Sequence, residues 1–426
     1  MPAHESADVV IVGAGPAGAA AALLLAEAGH DVLLLDRQHF PRPKPCGDCL
    51  SPEAGRVLER LGLLGAVEAA GPARLEGWRI VSPSGWSFSG RFAACAGGDP
   101  RVATSLSLSR DRLDAILLAG ARRAGARVRT GARVVDVLRD RAGRTIGVRA
   151  RTAAGDPVEI RARLVIGADG LRSIVARRLE LVRRPPRLRK FSLTAHVIGI
   201  AAADGLGEMH LLDGLCAGVA PVTCHPEMNV VHNLTLVADA ARYGAEAAQD
   251  AEAFFWRTLR RFPRLAPRLE SARLAPGVGP GLLASGPFDR PTRRVVCDGA
   301  ALVGDAAGYY DPFTGQGIYQ ALTGAELLAE SADHALRAGG VTARVLQPYA
   351  RRQRLLLGEA RALQRLVEVV VSRPALADRA IRRLARAPAA AIALIAATGD
   401  LRRARCLLSP AVAVSFLFPT STEVAA

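Results

Sequence analysis

Apolar and polar positions along this chain fall into segments whose lengths and spacing predict the order of its elements. Asp8 to Gly13 (DVVIVG) is a short β-branched apolar run closing on glycine, Pro16 to Gly29 is rich in Ala and Leu and ends on glycine, and His30 to Asp36 (HDVLLLD) is apolar again. Short continuous apolar runs suit buried strands and the longer Ala/Leu stretch suits a helix, so this segment predicts a strand–helix–strand unit whose second strand ends in a carboxylate. A Pro- and Gly-rich loop follows (Phe40 to Pro52), then an amphipathic helix around Glu53 to Leu64, and short strands from Ala73 to Phe92 with turns at Ser84-Gly85 and Ser89-Gly90. A helix is expected from Arg110 to Gly125, and Arg127 to Val165 reads as a meander broken at Ala142-Gly143 and Gly155-Asp156, with Leu164 to Ile166 running into Gly-Ala-Asp-Gly. The runs FSLTAHVIGI and MNVVHNLTLV, between Lys190 and Leu236 and just beyond, are strand-like. Ala240 to Phe262 predicts a helix, Arg294 to Val303 one buried strand, and Gly317 to Leu336 a long helix; from Pro348 to about Leu408 the chain is Arg/Leu/Ala-rich and helical. No internal repeat or low-complexity linker interrupts it.

Composition bounds this picture. With 426 residues, half of them hydrophobic, the chain holds two or three domains' worth of core, which excludes disorder; the absence of a three- or seven-residue period excludes a fibre. The net charge of +16 comes from arginine, since Lys44 and Lys190 are the only lysines. Arginine spread over nearly every helix and loop is a compositional habit rather than a docking patch, so no nucleic-acid partner is expected. Seven cysteines, an odd number, and an N-terminus (MPAHESADVV) without a basic stretch leading into an apolar run predict a reducing, cytoplasmic setting. The longest apolar stretches, Ala389 to Thr398 and Ala411 to Phe418, fall short of the ~20 residues of a spanning helix. A soluble protein, at most peripheral to a membrane, is expected.

The chemistry begins at Gly13-Ala14-Gly15-Pro16-Ala17-Gly18, set between strand and helix with Asp36 ending the next strand. Glycines let backbone approach a pyrophosphate, the helix N-terminus faces its charge, and the carboxylate can accept from a ribose hydroxyl; a carboxylate there repels a ribose phosphate, which favours FAD or NAD over NADP. Two further strand-to-helix turns, Ile166-Gly167-Ala168-Asp169-Gly170-Leu171-Arg172-Ser173 and Val303-Gly304-Asp305-Ala306-Ala307-Gly308 followed by Asp311-Pro312-Phe313-Thr314-Gly315-Gln316-Gly317-Ile318, point to an elongated cofactor held at several places. With such turns near residues 13, 169 and 305, the first domain is discontinuous and a mostly β domain is inserted into it.

Together the three turns resemble the FAD-containing fold of the p-hydroxybenzoate hydroxylase group. The run from Phe40 to Pro52 (FPRPKPCGDCLSP), with DPFTGQGIY, is similar more specifically to the geranylgeranyl reductase family within it. The resemblance covers about residues 8 to 335 and implies an α/β fold: a Rossmann-like FAD-binding domain (1–75, 101–182 and 285–345), an inserted, mostly antiparallel β substrate domain (76–100 and 183–284), and a C-terminal helical region (346–426). It implies that Ala17 and Gly18 approach the pyrophosphate, Asp36 binds the adenosine ribose, Val134 contacts adenine, and Arg110 holds phosphates or ribitol. Cys46 and Gly47 would lie by the isoalloxazine, Asp305 would take a ribityl hydroxyl, and Gly317 and Ile318 would offer N–H groups to a flavin carbonyl. Arg110 equally suits an ordinary helix start.

Other candidates are weaker. Cys46 and Cys49 form a CxxC without the second ligand pair of a zinc site or a thioredoxin-type context, so no metal is expected and Cys46 alone is the candidate functional thiol. His196, His210, His225 and His232 fall in the substrate domain, where a histidine serves as acid or base only if geometry supports it. Trp78, Trp86 and Trp256 do not reproduce the GWxWxIP signature of flavin-dependent halogenases, and after Cys297 only Cys406 remains, too few for an iron–sulfur centre. Two reactions stay open: reduction of prenyl or similar double bonds in a lipophilic molecule, and NAD(P)H- and oxygen-dependent hydroxylation of an aromatic, polyketide or lipidic phenol. NADPH or NADH is the expected electron donor for either. The tail, with Tyr349, Leu355, Leu363 and Leu366 on an apolar side and Arg351, Arg352, Arg354, Arg361 and Arg365 around it, suits docking on the protein's own core, with a membrane surface as the alternative.

Overall fold

The structure, a computed structural model, describes residues 4–97, 99, 102–183, 189–201, 204–225, 229–276 and 281–417, with backbone alone for 4, 223–225 and 229. The strand His4–Val12 lies between Pro157–Gly167 and Val32–Leu35, parallel to both. Ala300–Leu302 continues the sheet beyond Pro157–Gly167, and Arg127–Arg129 beyond Val32–Leu35, again in parallel. The register sets Val12, Gly167 and Leu302 side by side on three adjacent strands. All three glycine-rich turns therefore leave the same C-terminal edge of one parallel sheet, where open α/β sheets bind their ligands.

Pro16–Glu27 opens with proline in its first turn, where the missing N–H costs nothing, and buries a run of alanines from Ala19 to Ala22. Those short side chains let the helix sit tightly between the sheet and the helices Arg110–Arg123 and Gly317–Arg337. The opposite face of the sheet packs on the hairpin Arg133–Arg139 and Thr145–Arg151 and on the short helix Ile174–Arg178.

A second sheet runs Arg273–Leu274, Lys190–Ile198, Asn229–Asp239, Leu215–His225, Leu206–Leu212, Gly77–Val81 and Ser87–Arg91. It is antiparallel except where Leu206–Leu212 meets Gly77–Val81 in parallel. Strand alternation divides its faces: Leu193, Ala195 and Val197 pack with Leu234 and Leu236 onto Phe254 and Phe255 of the helix Ala251–Leu259, while Ser192, Thr194, Asn233 and Thr235 face the first sheet across a cavity.

Several boundaries differ from the pattern reading, each for a local reason. The Ala240 to Phe262 segment breaks at Asp250, whose carboxylate caps the second helix by accepting from the Ala253 N–H at 2.9 Å. Arg294 to Val303 holds two short antiparallel strands, Val296–Cys297 and Ala300–Leu302, rather than one. The helix from Pro52 ends at Arg60, and a separate one spans Leu64–Ala69. The tail is four helices, Gln347–Val371, Pro374–Ala385, Pro388–Thr398 and Pro410–Leu417; proline cannot continue a helix but starts one well, so each of the last three begins on one. Tyr349 and Leu363 of its predicted apolar side are buried, whereas Leu355 and Leu366 are exposed. Among the described residues no helix is long and apolar enough to cross a membrane.

Candidate active site: a cavity between the two sheets

At the first turn, Gly13 has φ +101°, and a side chain there would place its Cβ 2.5 Å from the Ala168 carbonyl oxygen. A Cβ on Gly18 would sit 1.8 Å from the Gly13 carbonyl oxygen. Asp36 holds the turn from the next strand, its carboxylate accepting from the Ala14 N–H and the Gln38 N–H, both at 2.8 Å. The first of these bonds ties the end of the second strand to the glycine loop.

Three cations converge here. Arg110 forms a two-pronged pair with Asp114, Nε and Nη2 each 2.9 Å from a carboxylate oxygen, and Arg42 Nη2 lies 3.3 Å from the same carboxylate. Lys44 approaches Gly170 of the second turn. Burial and the Arg110 guanidinium lower the Lys44 pKa, while Asp305 and Asp114 pull the other way. Crowded, partly desolvated cations beside a glycine loop and a helix N-terminus form a site for a polyanion such as a pyrophosphate.

From this point a cavity of about 750 Å³ runs between the sheets to the tail. Of the residues expected at the cofactor, it is lined by Gly15, Ala17, Cys46, Gly47, Arg110, Asp305, Gly317 and Ile318. Gly13 and Gly18 shape the turn behind it. Val134 is not brought to the cavity: it is buried in the core beside Val12, Leu33 and Leu35. Beyond Pro312 to Gly315 the walls become apolar, with Trp78, Phe88 and Leu211 from the second sheet facing Val367, Ile381 and Leu394 from the tail.

The tail also grips the loop from Asp311 to Gln316. Gln364 donates to Thr314 Oγ1 at 3.0 Å, Gln316 donates to Asp400 at 2.6 Å, and Lys190 pairs with Glu368 while lying 3.7 Å from Asp311. The third glycine-rich segment is thus fixed by residues far beyond it in the chain.

Cys46 contacts Arg110 and the Asp48 N–H, but burial pushes its thiol up, so at neutral pH it is a neutral wall group rather than a thiolate. Burial pushes Cys49 up to about 12, although Ser107 bonds to it. Among the described residues no group of His, Cys, Asp and Glu is arranged to hold a metal. Of the four histidines, His196 reaches the site: Nε2 is 2.6 Å from Asp48 Oδ2. His210 is spent on Glu208 at 2.8 Å, in a cluster with Arg268 that holds the Glu208 carboxyl down to about 2 against burial. His232 is buried, its pKa lowered by that burial and by Arg268. The His225 side chain lies outside the described residues.

Sequence reasoning missed Asp48 and Asn233. Asn233 Nδ2 is 2.7 Å from both the Cys46 carbonyl oxygen and Asp48 Oδ2, and Thr235 Oγ1 donates to Asn233 Oδ1 at 2.8 Å. The available signal was the alternation Ser192, Thr194, His196 on one strand, with polar Asn233 and Thr235 at the same period on another.

The model of the family described as FAD binding domain matches residues 6–355. The menaquinone reductase of Mycolicibacterium smegmatis is 32% identical over 80% of this chain and 78% of its own. A digeranylgeranylglycerophospholipid reductase of Methanothrix thermoacetophila is 31% identical over 83% of this chain and 84% of its own. The chain belongs to the geranylgeranyl reductase family of FAD-dependent oxidoreductases. Solved structures share this family member's fold. The geranylgeranyl bacteriochlorophyll reductase-like protein of Thermoplasma acidophilum superposes with a TM-score of 0.75 at 21% identity, covering 90% of this chain and 92% of its own. The myxobacterial chondrochloren halogenase does so with 0.77 at 24% identity, covering 97% of each. The residues fit FAD: the cation-lined glycine turn suits a pyrophosphate, and the turn at Asp305 stands farther along the same cavity.

Proposed function

We propose that this protein reduces carbon–carbon double bonds of a lipophilic, prenyl-bearing molecule, with NADPH or NADH as electron donor. The observation that carries this reading is the cavity itself, which passes without a break from a polar, cationic end built by the glycine-rich turns to an apolar arm walled by the tail. The names of its relatives, reductases of menaquinone and of a geranylgeranyl lipid, support the same chemistry. FAD, when bound, supplies hydride transfer. The chain's part is to hold it: Ala17, Gly18 and Arg110 at the pyrophosphate, Asp36 at the ribose, Asp305 at the ribityl chain, Gly317 and Ile318 at a flavin carbonyl, and Cys46 and Gly47 beside the ring. Residues 1–75, 101–182 and 285–345 carry this task, and 76–100 with 183–284 shape the substrate side.

The tail also supports a peripheral position on an anionic membrane. Between residues 347 and 417 it carries thirteen arginines against four carboxylates. Of the eight large hydrophobic side chains exposed among the described residues, seven lie between Leu355 and Leu417, and the eighth, Trp86, stacks under Arg382. Leu366 and Leu417 are both exposed and cavity-lining, so the apolar arm opens within this patch. Co-sedimentation with anionic vesicles at low salt is expected, and no pelleting overturns this part.

The chemistry is tested by anaerobic reduction of the FAD-loaded protein with NADPH or NADH, followed by a geranylgeranyl lipid or a menaquinone. Reoxidation without oxygen and a saturated product are expected. Reoxidation that needs oxygen and yields a hydroxylated product selects the monooxygenase instead.

A further inference from the structure

Beside the main cavity lies a second, of about 130 Å³, between Pro41 and Pro43 on one side and His196 and Leu283 on the other. Cys46, Asp48, Lys44, Arg110 and Thr194 line both cavities. Asp48 is 2% exposed and sits at φ +59°, a conformation that costs a non-glycine residue energy and persists only where the surroundings impose it. They do impose it. Asp48 Oδ2 receives His196 Nε2 at 2.6 Å and Asn233 Nδ2 at 2.7 Å, and the strand register sets His196 directly opposite Asn233. A carboxylate of the cofactor-side loop is thereby clamped between two residues of the substrate sheet, at the boundary of the two cavities.

We propose that His196 and Asp48 form a proton relay, with Asn233 as its positioning residue, that carries a proton from the small cavity to the reaction cavity. The proposal rests on the reductase reading. Saturating a double bond adds a hydride to one carbon and a proton to the other; the hydride and its electron pair come from reduced FAD, which is left oxidised. In the main cavity's apolar arm burial pushes the Tyr309 hydroxyl and the Cys216 thiol well above their ordinary values, which makes both reluctant donors, whereas Asp48 stands on the cavity wall. The His196 imidazolium passes its proton to the Asp48 carboxylate, which hands it on to the second carbon and is left ionised as before, and a water of the small cavity restores the proton of His196. At ~30 Å³ per water the small cavity has room for a few, and Lys44, Asp111 and His196 give them polar partners.

The charges facing His196 favour this role. Burial opposes the imidazolium, but the Asp48 hydrogen bond and charge, with Asp111 behind, outweigh it and raise the His196 pKa above the ordinary imidazole value. Lys44 and Arg110, across the small cavity, oppose that rise. The histidine therefore holds its proton to higher pH than a free imidazole does and loses it as pH climbs.

The test uses FAD-loaded protein reduced anaerobically and mixed in single turnover with a geranylgeranyl glycerophospholipid, across about pH 5 to 9. The wild-type rate is expected to fall as pH rises through the His196 pKa. His196→Gln and Asp48→Asn are expected to bind FAD normally, to react about a hundredfold more slowly and to lose that pH dependence. Independently of turnover, the His196 ring titration followed by NMR in the oxidised holoprotein should move to lower pH in Asp48→Asn. Variants that keep the wild-type rate and pH profile overturn the relay, as does a His196 titration indifferent to Asp48→Asn. Wild-type protein that the lipid fails to reoxidise overturns the reductase reading and the relay with it.

Discussion

Gly15→Ala separates cofactor binding from folding. Gly15 caps the first helix with φ −75° and ψ −175°, an extended conformation open to alanine. The nearest atoms to an added Cβ are Arg42 Nη2 at 3.7 Å and Arg110 Nη2 at 3.9 Å, so the methyl meets no clash in the protein. Less freedom in the unfolded chain stabilises by about 0.4–1 kcal/mol, and the poorer N-cap takes back a similar amount. The apoprotein should therefore melt close to wild type. The methyl stands between two guanidinium groups, where the pyrophosphate belongs, and forcing extra volume into a fitted contact costs about 1–3 kcal/mol, roughly a 5- to 150-fold rise in Kd. Quenching of flavin fluorescence gives Kd, and melting of FAD-free protein gives stability. Gly18→Ala is the contrast: its Cβ would sit 1.8 Å from a backbone oxygen, so it should fail at folding. Wild-type affinity in Gly15→Ala would place the pyrophosphate elsewhere, and a collapsed melting temperature would refute the open space at this turn.

Three more outcomes are expected. Asp305→Ala, on the cavity wall at the third turn, should purify with much less FAD per chain; unchanged flavin content would remove Asp305 from the cofactor site. Cys46→Ser should keep its FAD and lose turnover, because the neutral thiol contributes shape and contact with Arg110 rather than a thiolate; equal kcat/KM would make Cys46 plain wall. Burial pushes the Asp400 carboxyl up to about 7, although Gln316 donates to it at 2.6 Å. Its folded pKa exceeds its unfolded one, so its contribution to stability is full near pH 4 and is lost as pH rises through about 7. Asn tolerates the φ of +63° at this position. Asp400→Asn should therefore melt with wild type near pH 4 and above it at about pH 8, by on the order of 4 kcal/mol at most; parallel melting curves across that range would refute the buried charge.

The parts of the fold legible in the sequence were those written locally. Strand–glycine turn–helix segments announce themselves within about twenty residues, because the turn demands glycine where the backbone passes another chain segment. Breaks such as Asp250 escaped a periodicity reading, since a capping carboxylate ends one helix and opens the next without disturbing the apolar pattern. The site divides in the same way. Gly15, Ala17, Arg110, Asp305 and Gly317 were legible from motifs. Asp48, His196 and Asn233 meet across 148 and 185 residues, and only strand register brings them together. The apolar arm was harder still, because Val367, Ile381 and Leu394 look like any helix core until the tail is seen folded over the cavity.

The way the cavity is built explains how one cofactor fold serves different substrates. Its polar end comes from the edge of the parallel sheet, where register and glycine leave little freedom to vary. Its apolar arm comes from a β sheet and four helices that share no strand with that edge. One place where the two halves meet is the loop from Asp311 to Gln316, which the tail holds by Gln364, Glu368 through Lys190, and Asp400. Substitutions among the tail's apolar side chains can therefore reshape the arm without touching the pyrophosphate site. A change at Gln364 or Asp400 acts differently: it loosens the loop that leads into Gly317 and Ile318 on the cavity wall. The shape of the apolar arm is thus set by the tail and the second sheet, while the third glycine-rich turn depends on both halves being docked.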